Sequence, residues 1–354
     1  MSNFADLAQS FTRLPVGYAV PSLRGGGGSI WTQPRKDTFE YWVVEDGRET
    51  AQLAGVLGGQ LNYNAFTDIK VSGRLSYVGE DMGWLDKRVR VYLKSEAEDG
   101  RTERIALGTF MTTTPKLTLD GPVKTFDIEM YSPLLVLTQD LLETSLSLTA
   151  GTVITDAVKS IVEGAGMASP AVEPSGATLT SDVTFEGGTA ALRVCNDLLA
   201  RANYANLTVD GYGRVLIMPY TAPEDRAVMW TFRDDGESVF LPQVPVEQDT
   251  FDTPNVVVLV VSDPEAPMTA TAENDDPNSR FSTVSRGRRI VRYETVDGTA
   301  DQATLDASAE RILAASMLSV ESVYVTHTFV PIQPSDVVEF DYQEAGYARR
   351  LTVA

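Results

Sequence analysis

"RVRVYLKSEAEDGRTERIALGTF", residues 88–110, decides the fold class. Val89, Val91 and Leu93 point to one side of an extended chain, and Arg88, Arg90 and Lys94 to the other. "AEDG" (97–100) supplies turn residues, and "RIALGTF" (104–110) resumes the run. The pattern continues outward. "TFEYWVV" (38–44) precedes the turn signal "EDG" (45–47), and "KTFDIEMY" (124–131) follows "LDG" (119–121). In the last of these, Phe126, Ile128 and Met130 oppose Asp127 and Glu129. Short strands at such close spacing predict an antiparallel barrel or sandwich over residues 36–148.

The periodicity then changes. "GTVITDAVKSIVEGAG" (151–166) sets Ile154, Val158, Ile161 and Val162 on one helical stripe, with Gly164 as a stop. "AALRVCNDLLARANYANLTVDGYGRVLIMP" (190–219) begins with a second helix carrying Ala191, Cys195, Leu198, Leu199 and Ala202 on one face. Thr189 is the expected N-cap, and Asp210-Gly211 the turn of a hairpin after the helix. Residues 149–222 therefore read as a small inserted α+β module.

From 223 to 354 strands return in "AVMWTF" (227–232), "NVVVLVVS" (255–262) and "RRIVRYETV" (288–296). Residues 262–287 read as a long polar loop, and 300–317 as a helix facing a sheet through Leu305, Ala309, Ile312 and Ser316. At the other end, residues 1–35 read as a flexible arm, with Gly25 to Gly28 imposing almost no backbone preference.

Composition narrows the function. The chain of 354 residues carries 49 acidic against 29 basic residues, a net charge of −20. That excess repels phosphate, so specific nucleic-acid binding is not expected. "RGRR" (286–289) is a local exception and reads as a solvated strand end or a contact with an acidic neighbour. One cysteine, Cys195, and one histidine, His327, cannot furnish a zinc or iron–sulfur centre. Cys195 lies on the buried stripe of its helix. Glu273, Asp275 and Asp276 lack the spacing of an EF-hand loop. The N-terminus does not read as a signal peptide. Val256–Val261, the longest strongly apolar run, is far too short for a membrane helix, so no stable membrane insertion is expected.

His327 sits in "SVYVTHTFVPIQPSDVVEFDY" (322–342) and shares its parity with Val323, Val325 and Phe329. That places the imidazole in the apolar row of a strand, with no serine elbow, second metal ligand or thiol nearby. Trp31, Trp42, Trp84 and Trp230 are scattered through strand-like segments, which suits core packing rather than a sugar platform. So many carboxylates make any chosen glycosidase-like pair uninformative. No catalytic, cofactor-binding or metal-binding residue is expected, and no cofactor.

Taken in order, the two helical segments, "TPNVVVLVV", "AENDDPNSRFSTVSRGRRIVRYETVD", "ADQATLDASAERILAAS" and "HTFVPIQPSDVVEFDY" resemble the tail-tip and baseplate hub proteins of bacteriophages. They are also similar to the N-terminal hub part of siphophage tail-associated lysins. The resemblance spans about residues 38–345. It implies a β-rich α+β fold in which two tube-like antiparallel β-domains, 36–148 and 223–354, flank the insert. It further implies a non-enzymatic homotrimer forming a pseudo-sixfold ring at the virion tail tip, assembled in the cytoplasm of the host bacterium. Its partners would be a distal tail or tail tube protein, a tape measure protein, and tail fibres or receptor-binding proteins. DNA would pass through the channel without specific binding; an acidic wall to that channel is an expectation from the net charge alone. Ser335 departs from the pattern, since such hubs often carry Gly in a Pro-Gly-Asp turn there. The chain also stops at "ARRLTVA", just after a strand begins, without the further strand or lysin domain that the resemblance implies, which leaves open a short hub or an incomplete C-terminus. A wall-degrading lysin and a carbohydrate-binding module are the alternative readings.

Overall fold

In the computed structural model, the structure describes residues 29–248, 251–261, 268–296, 302–318 and 321–354. The chain divides into two compact units: one runs up to Val239 and takes in Phe329–Ala354, the other is Phe240–Thr328.

Alternation along the first third produces eight strands: β1 (Arg35–Glu45), β2 (Arg48–Gln52), β3 (Val56–Tyr63), β4 (Val71–Val78), β5 (Arg88–Ala97), β6 (Thr102–Thr112), β7 (Lys116–Asp120) and β8 (Val123–Tyr131). Their order is β2-β1-β5-β6-β8-β4-β3, with β7 also on β8, and every ladder is antiparallel. Asp46 and Gly47 both take left-handed backbone angles at the β1–β2 turn, as a two-residue hairpin requires. One face buries the expected row, Val89, Val91, Phe126, Ile128 and Met130, with Leu75, Trp84 and Phe110. Because β2 and β3 end the order and lie largely exposed, the sheet is open rather than a closed barrel.

Residues 146–217 contribute β9 (Leu146–Leu148), β10 (Ala171–Val172), β11 (Val183–Phe185), β12 (Thr208–Val209) and β13 (Val215–Ile217) around the helices Ile154–Gly164 and Ala191–Arg201. Ile154, Val158 and Val162 meet Val194, Cys195, Leu198 and Leu199 in one core, with Ile161 and Ala202 at its margin. One local expectation needs correction. Thr189 does not cap the second helix; Ala190 holds the N-cap position without a side-chain bond, and the Ala191 N–H donates to Asp140 O instead. The first helix ends at Gly164 as expected, and Gly166 beyond it takes the left-handed angle, φ 78°.

The chain continues through β14 (Val228–Arg233) into the second unit, with β15 (Val246–Gln248), β16 (Val256–Val261), β17 (Thr269–Glu273), β18 (Val291–Val296) and β19 (Glu321–Val323). It returns as β20 (Val337–Tyr342) and β21 (Tyr347–Thr352), where β20 lies between β14 and β21. Residues 269–273, expected in the polar loop, form a strand. In "TATAE" the two alanines face inward and the polar residues outward, so small side chains hide a period of two. Helix Gln302–Leu318 covers that strand through Leu305 and Ala309 of the expected stripe and through Leu313, which lay outside it; Ile312 packs partly buried against the same core and Ser316 is buried.

Part of the expected arm is packed, from Ser29 to Gln33. Ser29 caps a single turn, Ile30–Thr32, and Trp31 is fully buried with its ring 5.5 Å from that of Phe329. Gly25 to Gly28 lie outside the described residues.

Candidate functional site

His327 makes an isolated bridge with Phe240, and its Nδ1 lies 2.6 Å from the Thr328 carbonyl oxygen. Exposure alternates from 321 to 329, the odd positions half-buried and the even ones exposed, as parity predicts. The regular ladder stops at Val323, however, so His327 is in extended backbone beyond the strand proper. Cys195 is buried, and burial pushes its thiol up to about 12. Among the described residues no three His, Cys, Asp or Glu side chains are gathered to hold a metal ion. Trp31, Trp84 and Trp230 are buried and Trp42 is half-buried.

A polar cluster that sequence reasoning missed ties the Asp210–Arg214 turn to the sheet. Arg90 was placed with Arg88 and Lys94 on a polar face, yet it is only 8% exposed. Its Nε donates to Thr109 Oγ1 at 2.8 Å, its Nη1 to Glu49 Oε1 at 2.9 Å and its Nη2 to Tyr212 O at 3.3 Å. Thr109 in turn donates to Gly211 O at 3.1 Å. Tyr92 donates to the same Glu49 oxygen at 2.5 Å, and burial with that bond pushes its phenol up to about 12. The Asp210–Arg214 turn thus sits on β5 and β6. A Cβ at Gly211 would meet Ala106 O at 2.2 Å, so glycine is what permits this approach. Buried charge is tolerated because each guanidinium nitrogen finds an oxygen.

What remains presented to solvent is strand surface. β2 and β7 are exposed along their whole length and β3 nearly so. Leu57 stands out from β3, Leu117 and Leu119 from β7 and Val123 from the start of β8, and Phe66, 84% exposed, crowns the β3–β4 connection. That connection is held by its own bonds: the Phe66 N–H donates to Asn64 Oδ1 and Lys70 Nζ to Ala65 O, each at 2.8 Å. A rigid display of apolar side chains beside unpaired strand edges is a surface suited to other chains.

This architecture has solved counterparts. The tail protein from Neisseria meningitidis MC58 superposes with a TM-score of 0.63 at 13% identity, over 88% of this chain and 89% of that one. The 43 kDa tail protein of prophage MuSo2 from Shewanella oneidensis gives 0.61 at 10% identity, over 88% and 92%. The chain has the fold of phage tail proteins. Prophage tail protein gp18 from Listeria monocytogenes EGD-e shares it at 0.53 and 12% identity, over 88% of each chain. No protein-family model and no curated protein sequence matches the chain. The tail-protein fold was legible in the order of its segments, whereas the Arg90 cluster left no local signal.

Proposed function

We propose that the chain is a structural hub at the tip of a bacteriophage tail. Three copies form a ring that adapts the hexameric tail tube, or a distal tail ring, to threefold tip structures. The observation carrying this reading is a shared fold with tail proteins over most of both chains. Regions 36–148 and 223–354 act as the two tube-like domains of each subunit, giving six around the ring, and 149–222 is the insert held by Arg90. The product is shape, not reaction. Its neighbours in the virion are a distal tail or tail tube protein, the tape measure protein, and fibres or receptor-binding proteins. The channel passes DNA without specific contacts, and a net charge of −20 per subunit supports a wall that phosphate does not adhere to.

Mass photometry of the purified protein tests the assembly. A species of three copies at micromolar concentration is expected; a monomer under every condition would remove the ring from the account. A zymogram on bacterial cell wall tests the lack of catalysis, and clearing would reinstate the lysin reading.

A further inference from the structure

The second unit carries a cationic cleft on an otherwise acidic chain. Phe251, Arg280, Phe281, Arg286 and Arg288 line a cavity of about 470 Å³, within the size range of ordinary binding sites. Arg280 and Arg286 lie 4.8 and 5.1 Å from the centre of the Phe281 ring, and Arg288 lies 4.9 Å from that of Phe251. Cation–π attraction of this kind holds a guanidinium beside a ring, from where its N–H groups can recognise an anion. Phe251 is 70% exposed.

The backbone beneath is built to hold these groups still. Ser282, fully buried, accepts from the Ser285 N–H and caps the helix Thr283–Arg286, which Gly287 ends at φ 62°. Asn255, also fully buried, donates to Arg288 O at 2.9 Å and accepts from the Ile290 N–H at 2.7 Å. Such support lowers the ordering cost of binding. Arg289 next door pairs with Glu273 at 3.2 Å. Arg280 and Arg288 instead donate to uncharged oxygens, Gln248 Oε1 and Phe251 O, each at 3.0 Å, and among the described residues neither is ion-paired.

We propose that this cleft docks an acidic segment of a second copy of the chain, a carboxylate meeting the guanidiniums while an apolar neighbour lies on the phenyl rings. The inference rests on the trimeric reading above and assigns it one contact. Charge complementarity selects the occupant: a subunit with 49 acidic and 29 basic residues offers carboxylates on its own surface. The same net charge repels a polyanion at long range, which disfavours nucleic acid at this cleft. Two subunits of −20 also repel each other, so a local cationic socket is what would set their register.

The test compares the wild type with Arg280→Glu/Arg288→Glu, and with Phe251→Ser as a variant that leaves the net charge alone. Lys159→Glu/Arg193→Glu, on the helices of the insert, matches the charge change elsewhere. Oligomer dissociation is followed by mass photometry and sedimentation, after circular dichroism has established that each variant is folded. The account expects at least tenfold easier dissociation for R280E/R288E, a smaller shift for F251S and little for K159E/R193E. A wild-type trimer whose dissociation R280E/R288E leaves unchanged overturns this contact and leaves the trimer standing. A wild type that never associates overturns both. A fluorescently labelled oligonucleotide that binds the wild type and is released by R280E/R288E would assign the cleft to nucleic acid instead.

Discussion

Arg90 and Glu49 meet at 2.9 Å beneath the turn that carries Tyr212, so that turn is clamped onto the first sheet by a charge pair partly withdrawn from water. Removing the cation leaves Glu49 and the Thr109 hydroxyl short of a partner. Arg90→Met is expected to destabilise the fold by about 2–3 kcal/mol, toward the low side because Glu49 stays in partial contact with solvent. Urea unfolding measures the loss, and hydrogen exchange should speed up first at Thr208–Val215. An unchanged midpoint would show the clamp to be incidental.

Gly211 offers a steric check on the same docking. A methyl group there would meet the Ala106 carbonyl oxygen at 2.2 Å, so Gly211→Ala should cost about 2 kcal/mol or more. Gly58→Ala, with nothing within 4 Å of its Cβ, is the matched control and should be nearly silent.

Ser335 takes φ 74° in the turn before β20 while its N–H donates to Val353 O and its carbonyl accepts from Arg226. A non-glycine residue pays about 1–2 kcal/mol there, offset in part by the greater unfolded-state freedom of glycine, about 0.5–1 kcal/mol. Ser335→Gly is therefore expected to raise stability by roughly 0.5–1 kcal/mol, readable as a higher Tm. A lower Tm would mean that the hydroxyl has a role.

Asp336, one residue on, is buried enough that its carboxyl is pushed up to about 6, against the opposing pull of the Gln333 N–H and Arg226. Protonation is then favoured in the folded state. Its contribution to stability is complete below the unfolded value near 4 and is lost as pH rises through about 6. Asp336→Asn should remove that dependence, so the variant gains on the wild type between pH 4 and pH 7. A stability difference constant with pH would contradict the assignment.

The Cys195 thiol, pushed up to about 12 by burial between the two insert helices, should resist iodoacetamide at pH 8 in the native protein and react once the protein is unfolded. Native-state labelling at the rate of a free thiol would show the insert opening on its own.

Much of this molecule was readable from residue patterns, and the exceptions share a cause. Periods of two and of 3.6 carried β5, β8 and the insert helices because large side chains mark the buried face plainly. "TATAE" escaped because alanine marks it faintly. Arg90 escaped because the Tyr212 carbonyl that its Nη2 reaches lies 122 positions away, so its burial depends on tertiary docking rather than on strand parity. The Arg–Phe cleft was visible only as a basic run, since Phe251 and Arg280 reach it from other segments. Ser335 stood out as a departure from a pattern, and its positive φ gives that departure a physical meaning.

The central claim is that three copies enclose a bore at the end of a tail. Cryo-electron microscopy of the assembled tail tip, with this subunit localised by a fused tag, tests it most directly. The account predicts three subunits contributing six tube-like domains to one ring around a DNA-sized opening. A single copy attached to the outside of the tube would contradict it.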